Sequence, residues 1–365
     1  MDMKFSLFPI ERLARSWEKG GFYDGDFDRS LLPFEIIPGL FIEDVEALIA
    51  PNEFNHYLSM LGYESVKFLK AIKYVIINRY PKYAVKPNGD MIFEEDQRKS
   101  SEYLIQEAIA CLRLIRPIRQ FAQACGGDVR DDGSLTNFHF ESPLPYVNSP
   151  ENQKLFGVRT SDAEALRFYL PLFQNAMSGQ FWKFRMALEM YQSGFFQHSH
   201  WKARYFLWTA ALESLYTSQP QPGSGSGHSG SLVAKERIKS LLGPTAPIYP
   251  PGELTNLDTN PNLTVADVMD EIYCLRNNIA HGDKIPDYYF QTPGRKMFDG
   301  QELYKRDMLI EAISSIIRQS LLAILKNGLL DHFRDRVSSE TYFGGLGLTK
   351  SNLIKTIPKT GFTCP

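Results

Sequence analysis

Apolar residues recur along this chain with two different spacings, and the change between them divides it near residue 155. The first part mixes strand-like and helix-like patterns. Phe34-Glu35-Ile36-Ile37 and Leu40-Phe41-Ile42 flank a Pro38-Gly39 turn and read as extended segments. Asn88-Gly89 stands between Tyr83-Ala84-Val85 and Met91-Ile92-Phe93, which is a hairpin signal. Thr136 to Phe140 alternates like another strand, whereas Leu69 to Tyr80, apolar and β-branched, fits helix or strand equally. Leu104, Ile105, Ala108, Ile109, Leu112 and Ile115 line one face of a helix predicted from Ser100 to Ile115 and limited by Pro117. Pro143, Pro145 and Pro150 close this region.

From about Thr160 the spacing becomes helical. Ser161-Asp162-Ala163-Glu164 has the form of a capping box and starts a helix running to about Met177. Further helices are predicted from Phe181 to Phe195, from His200 to Thr217, from Lys235 to Leu242, from Leu263 to His281 and from Leu303 to Leu329. In the third of these, Trp201, Arg204, Tyr205, Trp208, Ala211, Leu212 and Leu215 form the stripe that should be buried. Ser218 to Ser231 is rich in Pro, Gly and Ser and reads as a flexible loop. Overall the pattern predicts an α+β chain: a mixed α/β domain over residues 1–155, an all-α bundle over 160–335 and a peripheral tail over 336–365.

Composition narrows the function classes. The chain is 43% hydrophobic and 22% charged, with 25 Phe and 18 Tyr, enough apolar material for substantial cores. Its 40 basic and 42 acidic residues give a net charge of -2. That excludes the bulk basic excess of a general DNA-coating protein and leaves nucleic-acid contact to a local patch. The four cysteines are scattered, with no Cys-x-x-Cys, so a zinc site is not expected and reduced core thiols are. No apolar run long enough to span a membrane is read, and the charged N-terminus lacks the form of a signal peptide. A cytoplasmic location is the expectation.

The richest segment is Tyr273-Cys274-Leu275-Arg276-Asn277-Asn278-Ile279-Ala280-His281-Gly282. At 100° per residue, Val268, Ile272, Leu275 and Ile279 form a narrow apolar stripe. Asn277 and His281 share the opposite face, with Arg276 on its flank, and Gly282 is a natural helix stop. A guanidinium can hold a phosphate by paired hydrogen bonds, and an imidazole can move a proton near neutral pH.

Arg276-Asn277-x-x-x-His281 resembles the Arg-polar-x-x-x-His signature of the higher-eukaryote and prokaryote nucleotide-binding (HEPN) superfamily. The surrounding Leu275 to Gly282, together with Ala210-Ala211-Leu212-Glu213-Ser214-Leu215 upstream, is similar to its Apea-like branch. The resemblance spans about Ser161 to Leu330. It implies an all-α bundle, a homodimer, and either a ribonuclease acting in a toxin or phage-defence setting or a non-catalytic RNA-binding or nucleotide-binding relative. It implies RNA as partner, with no cofactor and no metal required. His281 would be general acid or base, Arg276 the phosphate clamp, and Asn277 an orienting group. Glu213 would pair with Arg276 or tune His281. A regulator acting on the N-terminal domain is a further expected partner; the membrane is not.

Each residue also has a plain structural reading. His281 could cap its helix and neutralise the dipole. Glu213 and Arg204 could be salt-bridge partners. Trp182, Trp201 and Trp208 have core spacing rather than that of a base-stacking platform, and Arg113, Arg116 and Arg119 read as a solvated helix end.

Overall fold

The computed structural model describes residues 2–8, 27–44, 74–78, 94–116, 123–129, 135–140, 159–195, 200–217, 229–248, 263–291 and 304–356. The chain is α+β and divides into two compact units, Met1–Pro171 and Leu172–Pro365.

The first unit is built on an antiparallel sheet. Its strands are β1 (Asp2–Phe8), β2 (Phe34–Ile37), β3 (Leu40–Asp44), β4 (Tyr74–Asn78), β5 (Gln123–Val129) and β6 (Leu135–Phe140), in the order β2-β3-β4-β1-β5-β6. Strands β2 and β3, the expected extended segments, pair antiparallel across the expected turn, with Gly39 at φ 85°. Within it Phe34, Ile36, Leu40 and Ile42 are buried while Glu35 is exposed, the period-2 pattern of a strand covered on one face. The ambiguous segment resolves as strand β4, where Ile76 and Ile77 are both fully buried. Neighbouring residues on a strand point to opposite faces, so the sheet is closed off on both sides there, and alternation could not have identified it. The helix α1 (Glu94–Ile115) packs on β1 and β4. The Asn88-Gly89 hairpin expectation lies outside the described residues.

Helix α2 (Thr160–Ser178) carries the division at Pro171, later than the break expected between 155 and 160. Its first turns are tied to the sheet unit. The Arg116 Nε donates to Asp162 Oδ2 at 3.0 Å, and Arg167 donates to the Glu35 carbonyl at 2.6 and 2.9 Å while lying over the Phe34 ring. Asp162 also accepts from the Arg159 N–H at 2.9 Å, so the helix begins slightly earlier than the Ser161 box suggested. Arg113 and Arg116 are buried, which corrects their reading as a solvated end.

The second unit is helical. It contains α3 (Trp182–Phe195), α4 (Trp201–Tyr216), α5 (Ser229–Leu242), α6 (Val265–His281), α7 (Lys305–Lys326), α8 (Arg336–Gly345) and α9 (Lys350–Thr356). Helices α3 and α4 pack closely because Gly194 has no side chain: a Cβ there would overlap the Trp208 indole. The indole Nε1 donates to the Tyr191 carbonyl at 2.9 Å. Trp208 is core as expected, but Trp182 is 60% exposed, and Trp201 is half-buried with the Arg306 guanidinium over its ring. Helical spacing alone did not separate these three. Arg204 is buried and donates to the Gly194 carbonyl at 3.2 Å rather than to Glu213.

Helix α7 is apolar and long enough to cross a membrane by length and composition, but most of it is buried inside the protein, as a core helix is. Helix α5 starts six residues before the predicted Lys235. It carries Arg237, whose side chain is fully buried. That guanidinium donates twice to Glu340 at 2.7 Å, to the Tyr216 carbonyl at 2.9 Å and to the Leu348 carbonyl at 3.2 Å, and stacks over Phe343. Phe343 and Ser339 are fully buried too. Ser339 and Phe343 therefore belong to this unit's core, where a peripheral tail was expected, although Val337 and Leu346 on either side are exposed. Cys111 is a free buried thiol, whereas Cys274 is disulfide-bonded, which corrects the expectation of uniformly reduced cysteines.

Candidate functional site

Helix α6 starts at a capping arrangement that the sequence reading passed over. Asp267 accepts from the Thr264 N–H at 2.7 Å and from the Thr264 hydroxyl at 2.6 Å, and these bonds hold its carboxyl below the usual range. The helix stops at Gly282, in the left-handed region at φ 71° and ψ 20°. There the Asp283 N–H returns to the Asn278 carbonyl at 2.9 Å.

The body of α6 packs against α4, α5 and α7. Val268, Ile272 and Leu275 of the expected stripe are buried, and Ile279 is half-buried. Met269, Tyr273 and Cys274 are buried as well, so the helix is covered well beyond that stripe until its last two turns. There Arg276, Asn277, Asn278 and Ile279 are half-buried, and Ala280 and His281 are exposed.

Helix α4 brings the upstream acid to this point. The Tyr205 hydroxyl donates to the Ile272 carbonyl at 2.9 Å and fixes the two helices against each other. Two turns further along α4, Glu213 meets Arg276: the Nη2–Oε2 distance is 3.1 Å, with 25% of the Arg276 side chain and 27% of the Glu213 side chain exposed. The Arg276 Nη1 donates to Asn277 Oδ1 at 3.3 Å. Burial raises the Glu213 pKa, and the charge and hydrogen bond of Arg276 pull it back only in part. Of the four residues singled out in the sequence, Arg276, Asn277 and Glu213 thus form one cluster. His281 stands beyond it, exposed, at the end of α6. Five residues place Arg276 and His281 roughly 7.5 Å apart along the axis and about 140° apart around it.

Two further residues belong to the cluster. Phe206 is 42% exposed, and the Arg276 guanidinium lies 5.8 Å from its ring centroid. The Tyr273 hydroxyl is buried without a hydrogen-bond partner, and burial and the Glu213 charge both push its pKa up. The Arg276 Nε is likewise buried and unpartnered. A signal for Phe206 was available: it lies seven residues before Glu213, hence on the same helical face. Tyr273 carried none, because a tyrosine beside an apolar stripe reads as core.

No family model, no curated protein and no solved structure matches this chain. The site therefore rests on its own geometry. Among the described residues no three His, Cys, Asp or Glu side chains gather as a metal site would require. What the cluster offers is a guanidinium with spare donors, a neighbouring amide, a tuned carboxylate, an exposed aromatic ring and an exposed imidazole at the end of the same helix.

Proposed function

We propose that the C-terminal unit is a HEPN-type bundle of the Apea-like branch and that the protein is a metal-independent endoribonuclease. The observation that supports this best is the meeting of Glu213, Arg276 and Asn277 across two helices, with His281 left open at the end of one of them.

RNA brings its own nucleophile. The 2′-hydroxyl attacks the adjacent phosphorus and loses its proton to a base, the P–O5′ bond breaks, and the leaving 5′-oxygen takes up a proton from an acid. The products are a 2′,3′-cyclic phosphate and a 5′-hydroxyl. His281 serves as the proton-transfer group, and a second copy of the chain supplies the complementary His281 in a homodimer. Arg276 binds the scissile phosphate. A guanidinium has five N–H donors, and the contacts to Glu213 and Asn277 occupy two of them. The added charge on the phosphate in the transition state strengthens that contact.

A second reading is favoured by one observation: Arg276 is already ion-paired within the chain. In that reading the unit binds RNA or a nucleotide, or holds a dimer together, without turnover. Labelled RNA incubated in EDTA with wild type, His281→Ala and Arg276→Ala separates the two. The nuclease reading expects cleavage by wild type and at least a hundredfold loss in each variant. Equal cleavage by all three rejects it. RNA binding without cleavage, lost in Arg276→Ala, establishes the second.

A further inference from the structure

We propose that the adjoining starts of α3 and α8 form a surface that docks on an anionic lipid bilayer. Trp182, Met186 and Val337 enter its interfacial layer, and Arg185, Arg334 and Arg336 meet the headgroups. None of these residues belongs to the cluster of Glu213 and Arg276 or enters the RNA-directed reading.

Two bonds set the helix starts side by side. The Trp182 N–H donates to the Arg334 carbonyl at 2.8 Å, and the Lys183 ammonium donates to the Ser339 hydroxyl at 2.9 Å. Apolar side chains are left open around them. Trp182 is 60% exposed, Met186, one turn along the same face of α3, is 46% exposed, and Val337, three residues beyond Arg334, is 74% exposed. Single apolar residues on a surface need no explanation, but a group of them rimmed by charge marks an interaction site.

The rim is basic. Arg334 and Arg336 are exposed, and the Arg185 guanidinium lies 5.5 Å from the Trp182 ring centroid. Asp331 pairs with Arg334, and Asp335 accepts from the Ser338 N–H at 2.8 Å as the cap of α8. Arg185 and Arg336 form no ion pair among the described residues, which leaves the rim with an excess of positive charge. That charge complements an anionic surface. An indole beside guanidinium groups suits the headgroup layer in particular, where tryptophan settles and lipid phosphates attract arginine.

The size of the patch argues against a second copy as the occupant. The three open fractions amount to on the order of 350 Å² of apolar surface, whereas an obligate dimer covers roughly 650 Å² or more on each copy. A two-fold contact would also bring these arginines together. A bilayer needs no such area, because a few inserted side chains and the attraction of each arginine add together. The membrane was not expected from the sequence, because the residues that build this surface lie on two helices far apart in the chain.

Sedimentation of full-length protein with vesicles tests the surface, using phosphatidylcholine alone and phosphatidylcholine mixed with phosphatidylserine. Wild type is compared with Trp182→Ser, Val337→Ser and Arg336→Gln, each checked by circular dichroism. Docking predicts binding to the mixed vesicles only, falling with added salt, about tenfold weaker in Trp182→Ser and about fivefold weaker in Arg336→Gln. Emission from the Trp182 indole, read as the difference between wild type and Trp182→Phe, should be quenched by brominated lipid, and bound protein without that quenching overturns the assignment. Wild-type affinity in the exposed variants Val337→Ser and Arg336→Gln overturns it as well, whether or not Trp182→Ser folds. So does a wild type that fails to pellet with mixed vesicles, or that pellets equally with phosphatidylcholine alone. Binding to polyglutamate without binding to vesicles assigns the patch to an acidic protein, and self-association lost in Trp182→Ser assigns it to a second copy; either result overturns the bilayer.

Discussion

Replacing Glu213 by glutamine removes one charge from the Arg276 pair while keeping its shape. At 3.1 Å and an effective dielectric near 20, the bare attraction is about 5 kcal/mol. Burial nonetheless leaves the carboxyl with a raised pKa, so desolvation more than offsets what Arg276 returns. With about a quarter of each side chain still exposed, solvent screening reduces the attraction further. Glu213→Gln should therefore change stability by less than about 1 kcal/mol, because the amide oxygen still accepts from the guanidinium. Arg276→Met is different. It strands a carboxylate in a half-buried site and should cost about 2–3 kcal/mol, toward the low end for broken buried pairs because of that exposure. The double variant should recover to within about 1 kcal/mol of wild type. Urea denaturation at pH 7, read as midpoint and slope, measures all three. The pH dependence has a defined sign. A carboxyl whose folded pKa is raised contributes stability below its unfolded value, 4.5, and loses that contribution as pH rises through the folded pKa. The stability of wild type relative to Glu213→Gln should fall across that window. If Glu213→Gln costs as much as Arg276→Met, or if the two effects simply add, this account of the pair is wrong.

Other outcomes follow from the packing of the helical unit. Lys183 donates to the Ser339 hydroxyl at 2.9 Å, and burial brings its pKa from 10.5 down to about 8. The unfolded chain binds the extra proton between those values, so stability should rise with pH from about 8 to 10.5 in wild type relative to Lys183→Met, as differential melting across that range would register. Gly194→Ala drives a methyl into the Trp208 indole and should cost about 1–3 kcal/mol by chemical denaturation. Arg237→Met leaves Glu340 and two backbone carbonyls without their donor and should cost about 3–5 kcal/mol, with partial recovery on adding Glu340→Met.

Helices with a single apolar stripe were legible in the sequence to within a few residues: α4 and α6 lie close to where periodicity put them, and Gly282 stops α6 as its type requires. The misses have specific causes. Strand β5 reads Gln-Ala-Cys-Gly-Gly-Asp-Val, with neither alternation nor β-branched enrichment to announce it. The early start of α5 was hidden in a Ser-Gly-Ser sequence whose local propensity argues for loop. Arg113, Arg116 and Arg237 were read as surface or passed over. A buried guanidinium is identified by its partners, and those lie far away in sequence: Asp162 for Arg116, and Glu340 for Arg237. The meeting of Glu213 with Arg276 was only one of several options in the sequence. The choice among them depends on how α4 is held against α6, which the Tyr205 hydroxyl bond fixes.

The burial profile of α6 has a practical meaning for anyone probing this site. Val265, Val268, Met269 and the run Ile272 to Leu275 are buried, while Asn277 is half-buried and His281 is exposed in the final turn, just ahead of the Gly282 stop. Chemistry at the rim is thereby decoupled from the integrity of the scaffold. The side chain at 281 can be swapped, truncated or labelled while the protein still folds, so a silent variant there reports on chemistry, not on collapse.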